Sequence, residues 1–365
     1  MTDRSPQYGA ISTPGPGTYY LRPELKDLKI IGVEEHGVFH NLQQRVPNST
    51  EPAQLGRDIY SKLYYHGAMG YAAGRSDDLK LQRIKDMDKG GVAMQVLSSV
   101  GSVYSTHIED PEAALRFAHD VNDELKKAVD AHPERFKAFA EVPAQVPELA
   151  IKELRRCVQE LGFVGGFIAG SVGGTRKFLD DPEFDGLLTE FETLNIPLFL
   201  HPAVAPKPVI NAYYTFPGKP LLTATLSGMG WGWHNEVAVH VLRLGVSDRH
   251  RGLKIIIGHQ GEMLPMMMQR FDVMFPPELF GLQRTVGQIL REQVWVAISG
   301  MFTIPPTLAA VQTWGVDHVL FANDYPFLDL DRTPNFINAL GDVIAPSDLR
   351  KICQTNAEEL FRIKL

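Results

Sequence analysis

Several apolar segments of this 365-residue chain are followed by residues whose side chains can bind a metal ion. These residues are Glu34 and His36 after the first segment, then His201, His259 and Asp324 after later ones. Glu34 and His36 are two residues apart, so in an extended chain both side chains point to the same side while Glu35 points away. Two carboxylates and two or more imidazoles suit a divalent metal ion, with positions left for water or substrate. The pattern therefore predicts a metal site.

Each of these residues also has an ordinary explanation when it is taken alone. A single histidine at a strand end is usually structural, and Asp324 in the sequence Asn-Asp-Tyr-Pro could cap a turn. Their shared position after four different apolar segments favours the metal site. Zn²⁺ and Mn²⁺ both match these ligand types, Mg²⁺ is a further alternative, and the ligand types do not choose among them.

His259 has two interpretations at this stage. It could be a further metal ligand or a general acid/base, because an imidazole serves in both roles. Glu262 follows three residues later and could orient the ring, as carboxylates near metal sites often do.

The elements that carry these residues alternate between short apolar runs and amphipathic helical patterns. The candidate strands are 29–34, 92–97, 137–141, 163–168, 195–200, 253–258, 293–298 and 318–322. The helical patterns cover 77–91, 111–133, 146–162, 181–195, 235–246, 261–275 and 305–315. Most strands are continuously apolar, which is typical of parallel strands buried on both faces. Eight such units predict an α/β fold, a (β/α)₈ barrel of the TIM type. An open doubly wound sheet is the alternative, but no GxGxxG motif follows the first strand.

Two long segments interrupt the alternation, at 37–76 after the first strand and at 202–234 after the fifth. We interpret both as inserted loops at the carboxyl rim, where a barrel carries its site. Trp231 and Trp233 in the second loop could provide flat apolar walls for an aromatic substrate. We divide the chain into an irregular N-terminal arm at 1–28 and a barrel domain at 29–365.

Composition and charge exclude several classes of function. The formal net charge is −7, from 36 basic and 43 acidic residues, which provides no surface for nucleic acid or for an anionic membrane. No apolar run approaches the roughly 18 residues needed to span a bilayer, and the N-terminal residues lack the apolar stretch of a signal peptide. The two cysteines, Cys157 and Cys353, predict no disulfide framework. We expect a cytoplasmic protein.

Four motifs of the chain resemble a known family. The ExH pair at Glu34 and His36, LFLHP at 198–202, IIIGHQGEMLP at 255–265 and FANDYPF at 321–327 resemble the amidohydrolase-related (ACMSD-like) family of metal-dependent decarboxylases that need no organic cofactor. The resemblance extends from residue 29 to the end of the chain. A glutamate at the first position of ExH is similar to the γ-resorcylate and 2,3-dihydroxybenzoate decarboxylases, whereas other members carry HxH.

The resemblance implies a role for each residue of the pattern. Metal ligands of the family match Glu34, His36, His201 and Asp324. The family's catalytic histidine matches His259, its partner matches Glu262, and Asp324 is expected to donate a proton to the substrate. The implied reaction is the reversible, non-oxidative decarboxylation of an ortho-hydroxybenzoate by one divalent metal ion, in a homodimer or homotetramer. A metal-dependent hydrolase of a lactone or amide is the alternative, because this barrel hosts both chemistries. A catalytically silent binding protein is a third interpretation.

The substrate contacts are less well defined than the metal site. Candidates for them are Trp231, Trp233, Phe327 and Arg270, although Arg270 could instead form a structural ion pair with Asp272. Two positions depart from the family pattern: Ala203 stands where an arginine is common, and Ala169 stands where an asparagine is common. Both lie near the expected substrate, so the departures affect the choice of substrate and leave the metal chemistry unchanged.

Overall fold

The computed structural model describes residues 20–46, 75–76, 78–100, 105–108, 110–170, 172, 177–203, 205, 207–228 and 237–365. Eight strands form one parallel sheet in the order of the sequence. They are β1 Ile30–Gly37, β2 Val92–Ser99, β3 Phe136–Glu141, β4 Gly165–Ala169, β5 Pro197–His201, β6 Lys254–Ile257, β7 Val294–Ile298 and β8 Val319–Phe321. Hydrogen bonds from His36 N to Tyr325 O (2.6 Å) and from Asp324 N to Glu34 O (2.9 Å) join β1 to the chain after β8. The predicted (β/α)₈ barrel is confirmed.

Helices follow the strands and pack around the barrel. The longer α-helices are α1 Leu81–Gly90, α2 Pro111–Ala131, α3 Pro147–Arg155, α4 Asp185–Leu194, α5 Pro220–Ser227, α6 Val237–Ser247, α7 Leu264–Met274, α8 Val286–Gln293, α9 Ile304–Trp314, α10 Thr333–Leu340 and α11 Asn356–Phe361. Shorter ones are His40–Gln43, Lys207–Val209, Pro277–Phe280 and Pro346–Arg350. All seven predicted helices are present, whereas α5, α8, α10 and α11 were not predicted.

Single turns of other helix types complete the elements. The 3₁₀ turns are Pro23–Leu25, Ser105–His107, Pro182–Phe184, His259–Gly261, Val316–His318 and Leu330–Arg332, and the π-helical turns are Arg156–Glu160, Ile210–Tyr214 and Lys351–Thr355. Among the described residues, no helix combines the length and the apolar character that crossing a bilayer requires.

Local signals explain where several helices begin and end. α2 begins at Pro111, because the side chain of Asp110 accepts a hydrogen bond from Ala113 N at 2.6 Å. α1 ends before Gly91, whose φ of 69° allows the left-handed turn that closes a helix.

Buried apolar side chains form two layers that follow the alternation of the strands. The inner layer fills the barrel and includes Ile31, Val33, Met94, Val96, Phe139, Phe167, Phe199, Ile256 and Leu320. The outer layer lies between strands and helices and includes Ile30, Leu97, Ala138, Ile168, Leu200 and Ile257. Side chains at the carboxyl ends of the strands therefore project into a rim whose floor is already packed.

A bulge interrupts the alternation in β1. Gly32 pairs with Gln95 and Glu35 pairs with Leu97, so two residues of β1, at 33 and 34, lie opposite one residue of β2, at 96. Glu35 consequently lies on the same side as Gly32, where an added Cβ would come within 2.2 Å of Glu35 Oε1. Glu34 and His36 point into the barrel rim, as predicted, but the bulge is what turns Glu34 there.

The predicted arm and loops are described only in part. The segment before β1 packs on the barrel: Leu25 and Leu28 are buried, and Arg22 pairs with Asp342 at 2.6 Å. The division at residue 28 remains a prediction. Residues 1–19 and most of the loop at 37–76 lie outside the described residues. The loop after β5 contains Lys207–Val209, Ile210–Tyr214 and α5.

Candidate metal centre

Five polar side chains from four strand ends meet at the carboxyl rim of the barrel. His36 Nε2 lies 3.2 Å from Asp324 Oδ1. His201 Nε2 and His259 Nε2 lie 3.4 Å and 3.6 Å from Glu34 Oε1. Glu34 and His36 are fully buried, His201 and His259 are nearly so, and the side chain of Asp324 is 15% exposed. The structure therefore brings together all five rim residues of the sequence pattern.

The cluster has the geometry of a cation site. One set of ligand atoms from Glu34, His36 and His201, and a second from Glu34, His259 and Asp324, each lie within 4.8 Å of one another. Two buried atoms, Glu34 Oε1 and His36 Nε2, have no hydrogen-bond partner among the described residues. Buried polar atoms without partners are costly, and a divalent cation between them would bind both. The residues present thus fit the metal ion that the sequence predicts.

Hydrogen bonds behind the cluster fix the orientation of its side chains. Pro202 O lies 2.8 Å from His201 Nδ1 and can only accept, so Nδ1 carries the proton and Nε2 presents a lone pair to the cluster. Ser98 Oγ lies 2.8 Å from His36 Nδ1. Ser299 Oγ donates to Glu34 Oε2 and accepts from His259 N at 2.8 Å. Glu34, His36 and His201 are therefore each oriented from the side that faces away from the cluster.

The backbone around the cluster is strained. His259, Gln260, Glu262 and Asp324 have φ values of 53°, 55°, 52° and 65°, in the region that favours glycine. Such conformations cost of order 1–3 kcal/mol each and concentrate at functional sites. His259 and Asp324 both have this backbone conformation, and their atoms Nε2 and Oδ2 lie 3.7 Å apart.

Two glycines make room for the cluster. A Cβ at position 258 would come within 2.2 Å of Glu34 Oε2. At Gly300, where φ is 67°, a Cβ would come within 3.1 Å of Asp324 Oδ2 and 3.0 Å of His259 Cδ2. Both positions exclude larger residues because the carboxylates occupy that space.

Electrostatics give the members of the cluster different protonation states. Burial lowers the pKa of His201 well below its usual value and raises the pKa of Glu34. Burial opposes ionisation of Asp324, but the neighbouring imidazoles of His259 and His36 outweigh it and lower the pKa of Asp324 to about 2. Neutral imidazole and ionised carboxylate are the forms that bind metals, so His201 and Asp324 match that requirement.

His259 holds a proton in this arrangement. Burial favours its neutral form, but the negative charges of Glu34 and Asp324 outweigh burial and raise its pKa to about 10. Glu262 Oε1 lies 3.7 Å from His259 Nδ1, and burial raises the pKa of Glu262 to about 7. His259 and Asp324 thus form a pair that can hold and transfer a proton beside the cluster.

Aromatic rings lie against the imidazoles. The Phe167 ring lies 5.1 Å from the His201 ring, and the Phe327 ring lies 5.9 Å from the His36 ring. Ala169 and Ala203, the two departures from the family pattern, are buried in the same inner layer. An apolar surface with small residues therefore borders the polar cluster.

The remaining candidates for substrate contact are not in this cluster. Arg270 is exposed on α7, and among the described residues no hydrogen bond or ion pair joins it to the rim cluster or to Asp272. Asp272 instead accepts a hydrogen bond from Gly287 N at 2.6 Å. Trp231 and Trp233 lie outside the described residues.

The sequence analysis missed three residues that contact the cluster: Ser98, Phe167 and Ser299. Ser98 ends the apolar part of β2, and Ser299 directly follows β7. The reasoning that selected His201 and Asp324, a polar residue at a strand end, would have found both serines. Phe167 precedes Ala169 by two residues in β4, so the alternation of the strand places both on the inner side.

Comparisons with known proteins agree with this architecture. The family model described as Amidohydrolase matches residues 65–363. The γ-resorcylate decarboxylase of Rhizobium radiobacter is 36% identical over 298 residues, which cover 78% of this chain and 88% of that protein.

Two solved structures extend the similarity to the whole barrel. A 2,6-dihydroxybenzoate decarboxylase complexed with 2,6-dihydroxybenzoate is 31% identical with a TM-score of 0.77, covering 92% of this chain and 100% of the other. A 5-carboxyvanillate decarboxylase from Novosphingobium aromaticivorans, complexed with manganese and 4-hydroxy-3-methoxy-5-nitrobenzoic acid, is 27% identical with a TM-score of 0.81, covering 96% and 100%.

Proposed function

Since the chain belongs to the amidohydrolase family, we propose that it is a metal-dependent decarboxylase of an aromatic acid with a hydroxyl group ortho to its carboxylate. The observation that carries the proposal is the buried cluster of Glu34, His36, His201, His259 and Asp324, with two unpartnered ligand atoms. The similar proteins named for γ-resorcylate, 2,6-dihydroxybenzoate and 5-carboxyvanillate act on acids of this class.

Glu34, His36, His201 and Asp324 are the proposed ligands of the metal ion. When bound there, the ion supplies a Lewis acid and a template for adjacent hydroxyl and carboxylate oxygens of the substrate. We propose Mn²⁺ ahead of Zn²⁺, because the similar 5-carboxyvanillate decarboxylase was solved with manganese. No organic cofactor is required by this chemistry.

The chain's own contribution is the transfer of a proton. His259 passes its proton to Asp324, and Asp324 donates that proton to the ring carbon that bears the carboxylate, so that the new C–H bond interrupts the aromatic system. The bond from that carbon to the carboxylate then breaks, its electron pair restores the aromatic ring, and CO₂ leaves. The proton transfer from His259 to Asp324 crosses the 3.7 Å between Nε2 and Oδ2, and Glu262 orients His259. Carboxylation, the reverse reaction, follows these steps in the opposite order at high bicarbonate concentration.

Apolar side chains exclude water and hold the aromatic ring. Phe167 and Phe327 border the cluster, and Ala169 and Ala203 leave room for ring substituents. Trp231, Trp233 and Arg270 remain proposed substrate contacts. Exclusion of water strengthens the interactions of the charged groups with the substrate.

A second copy of the chain is the proposed partner. Met263, Met266, Val273 and Met274 on and beside α7 are 47%, 73%, 70% and 63% exposed, and helical spacing places Arg270 among them. Exposed apolar surface around an arginine is typical of protein interfaces, and it supports the homodimer or homotetramer. The two cysteines are free and buried, which supports the proposed cytoplasmic location.

The test is CO₂ release by the Mn²⁺-loaded chain from a panel of 2-hydroxybenzoates that includes 2,6-dihydroxybenzoate and 5-carboxyvanillate. Turnover of at least one acid supports the proposal. Hydrolysis of a lactone or amide with no CO₂ release would reassign the site to a hydrolase. A chain that binds no divalent metal and turns over neither class would be the silent binding protein.

A further inference from the structure

The side chain of Glu35 lies behind the metal cluster, on the opposite side of β1 from Glu34 and His36. It is fully buried, and its carboxylate fills the space left by the absent side chain of Gly32. Nothing in the proposed reaction uses Glu35 directly. Its position is therefore an observation that the proposed function leaves unexplained.

The Glu35 carboxylate holds the backbone on both sides of Asp324. Oε1 accepts a hydrogen bond from Asn323 N at 2.8 Å, and Oε2 accepts one from Tyr325 N at 3.2 Å. Asp324 N between them donates to Glu34 O at 2.9 Å. Three consecutive N–H groups after β8 are therefore bound to two consecutive residues of β1.

These bonds bear on the conformation of Asp324. Its φ of 65° is unfavourable for a residue with a side chain, and such a conformation persists only where the surroundings enforce it. Among the rim carboxylates, Glu34 is additionally held by Ser299 through its side chain. For Asp324, the backbone bonds to Glu34 and Glu35 provide the orientation.

A second layer fixes Glu35 itself. Gln95 Nε2 donates to Glu35 Oε2 at 3.1 Å, while Gln95 Oε1 accepts from Arg83 Nη1 at 3.2 Å. The bond from Arg83 settles which end of the Gln95 amide faces Glu35. Arg83 is fully buried, donates to His36 O, and lies 4.5 Å from the centre of the Tyr325 ring.

We propose that Glu35 is a positioning residue that sets the backbone of Asp324 and thereby the affinity of the rim for its divalent metal ion. The inference rests on the proposed metal site. A glutamine at position 35 would keep the size of the side chain but would replace one accepting oxygen with an N–H₂ group, which would face an N–H donor. Groups that orient metal ligands typically change metal affinity or activity by roughly 10–100-fold when altered.

The test is the dissociation constant for Mn²⁺, measured by electron paramagnetic resonance of the free ion with the metal-stripped full-length chain. Glu35→Gln is expected to weaken Mn²⁺ binding by roughly 10–100-fold. Glu153→Gln is the matched control, because Glu153 is also a buried carboxylate that accepts hydrogen bonds, from Asn122 and Arg156, outside the rim. Both variants lower the melting temperature, but Glu153→Gln keeps the wild-type affinity.

A double-mutant cycle separates positioning from a general loss of stability. In an Asp324→Ala background, Glu35→Gln should add less than about 2-fold to the loss of affinity, since the ligand that Glu35 positions is gone. Gly32→Ala provides a second way to displace the Glu35 carboxylate and should weaken Mn²⁺ binding in the same way, so the test stands if Glu35→Gln fails to fold.

Two outcomes would overturn the inference, and they differ in what else they overturn. If the wild-type chain binds Mn²⁺ and Glu35→Gln binds it equally well, the role of Glu35 is excluded and the metal site stands. The same conclusion follows if Glu35→Gln causes equal losses of affinity in the wild-type and Asp324→Ala backgrounds. A wild-type chain that binds no Mn²⁺ removes the proposed function together with this inference.

Discussion

Glu34 and Glu35 are neighbours in the chain and both are fully buried, yet their carboxylates have different surroundings. Burial raises the pKa of both groups. Within the described part of the chain, Glu34 Oε1 has no hydrogen-bond partner and faces three imidazoles, whereas both oxygens of Glu35 accept hydrogen bonds. A polar cluster with unpartnered ligand atoms is suited to bind a metal ion or another ligand. A cluster in which every polar group has a hydrogen-bond partner is suited to stabilise the fold.

We expect the largest effect on activity from a change in the rim cluster, on the side of β1 that carries Glu34. Asp324→Asn removes the proton donor while the amide oxygen can still bind the metal, so kcat is expected to fall by roughly 10²–10⁴-fold. CO₂ release measures kcat, and metal analysis of the purified variant measures retention of Mn²⁺. Asp342→Asn, at an exposed carboxylate paired with Arg22, is the control and should keep wild-type kcat. Full activity of Asp324→Asn would remove Asp324 from the reaction.

On the other side of β1, the expected effect is on stability. Arg83→Met leaves Glu35 without its nearest positive charge and leaves Gln95 Oε1 and His36 O without their donor. Breaking such a buried arrangement costs about 3–5 kcal/mol. Urea unfolding measures the free energy, with Arg116→Met as an exposed control whose ion pair with Glu112 contributes about 0–1 kcal/mol. Equal stability of the two variants would contradict the comparison.

Glu141 lies between the two cases, since Oε1 accepts a hydrogen bond from Ser105 N at 2.7 Å and Oε2 has no partner among the residues that the structure describes. Burial raises the pKa of Glu141 to about 7. The neutral form is favoured in the folded chain, so this group contributes stability below pH 4.5 that is lost as the pH rises to about 7. The loss is of order 3 kcal/mol.

Glu141→Gln should remove this part of the pH dependence, because glutamine keeps an acceptor for Ser105 N and does not ionise. The measurement is the free energy of unfolding of both proteins at pH 5 and pH 8. The difference between the two pH values should be smaller in the variant, and an unchanged difference would show that Glu141 is not the group responsible.

A smaller effect should follow from steric displacement on the metal side. Gly258→Ala places a Cβ in the space of Glu34 Oε2 and should weaken Mn²⁺ binding by roughly 10–100-fold. Gly186→Ala on α4 is the matched control, because its Cβ would meet only Ile151 at an ordinary 3.6 Å. The control should bind Mn²⁺ normally, with a stability equal to or slightly above that of the wild type. Normal Mn²⁺ binding by Gly258→Ala would place the ion away from Glu34.

Much of this arrangement could be predicted from the sequence. Strand ends and helix ends have local causes, such as the apolar run before His201, Pro111 with Asp110, and Gly91 after α1, so the barrel followed from the alternation of elements. Polar residues at the ends of buried strands indicated the rim cluster for the same reason. Phe327 belongs to one of the quoted motifs, and its ring lies 5.9 Å from the His36 ring, while its contact with substrate stays a prediction.

The parts that were missed depend on contacts between distant segments. The bulge in β1 arises from pairing with β2, and Gly32 gives no sign of the carboxylate that needs its space until both strands are in place. The left-handed backbone of Asp324 depends on Glu35, nearly three hundred residues earlier. The helical patterns of α5, α8, α10 and α11 are shorter, and the sequence analysis did not predict them.

The bulge in β1 also matters for protein design. On a regularly paired strand, the sequence from Gly32 to His36 would alternate strictly, so Glu35 would enter the barrel and Glu34 and His36 would face the helices. A copy of the five rim side chains on an idealised barrel would therefore lack the site, even with every residue type correct. The smallest unit that could be transplanted is therefore β1 with its bulge, together with the part of β2 that pairs with it.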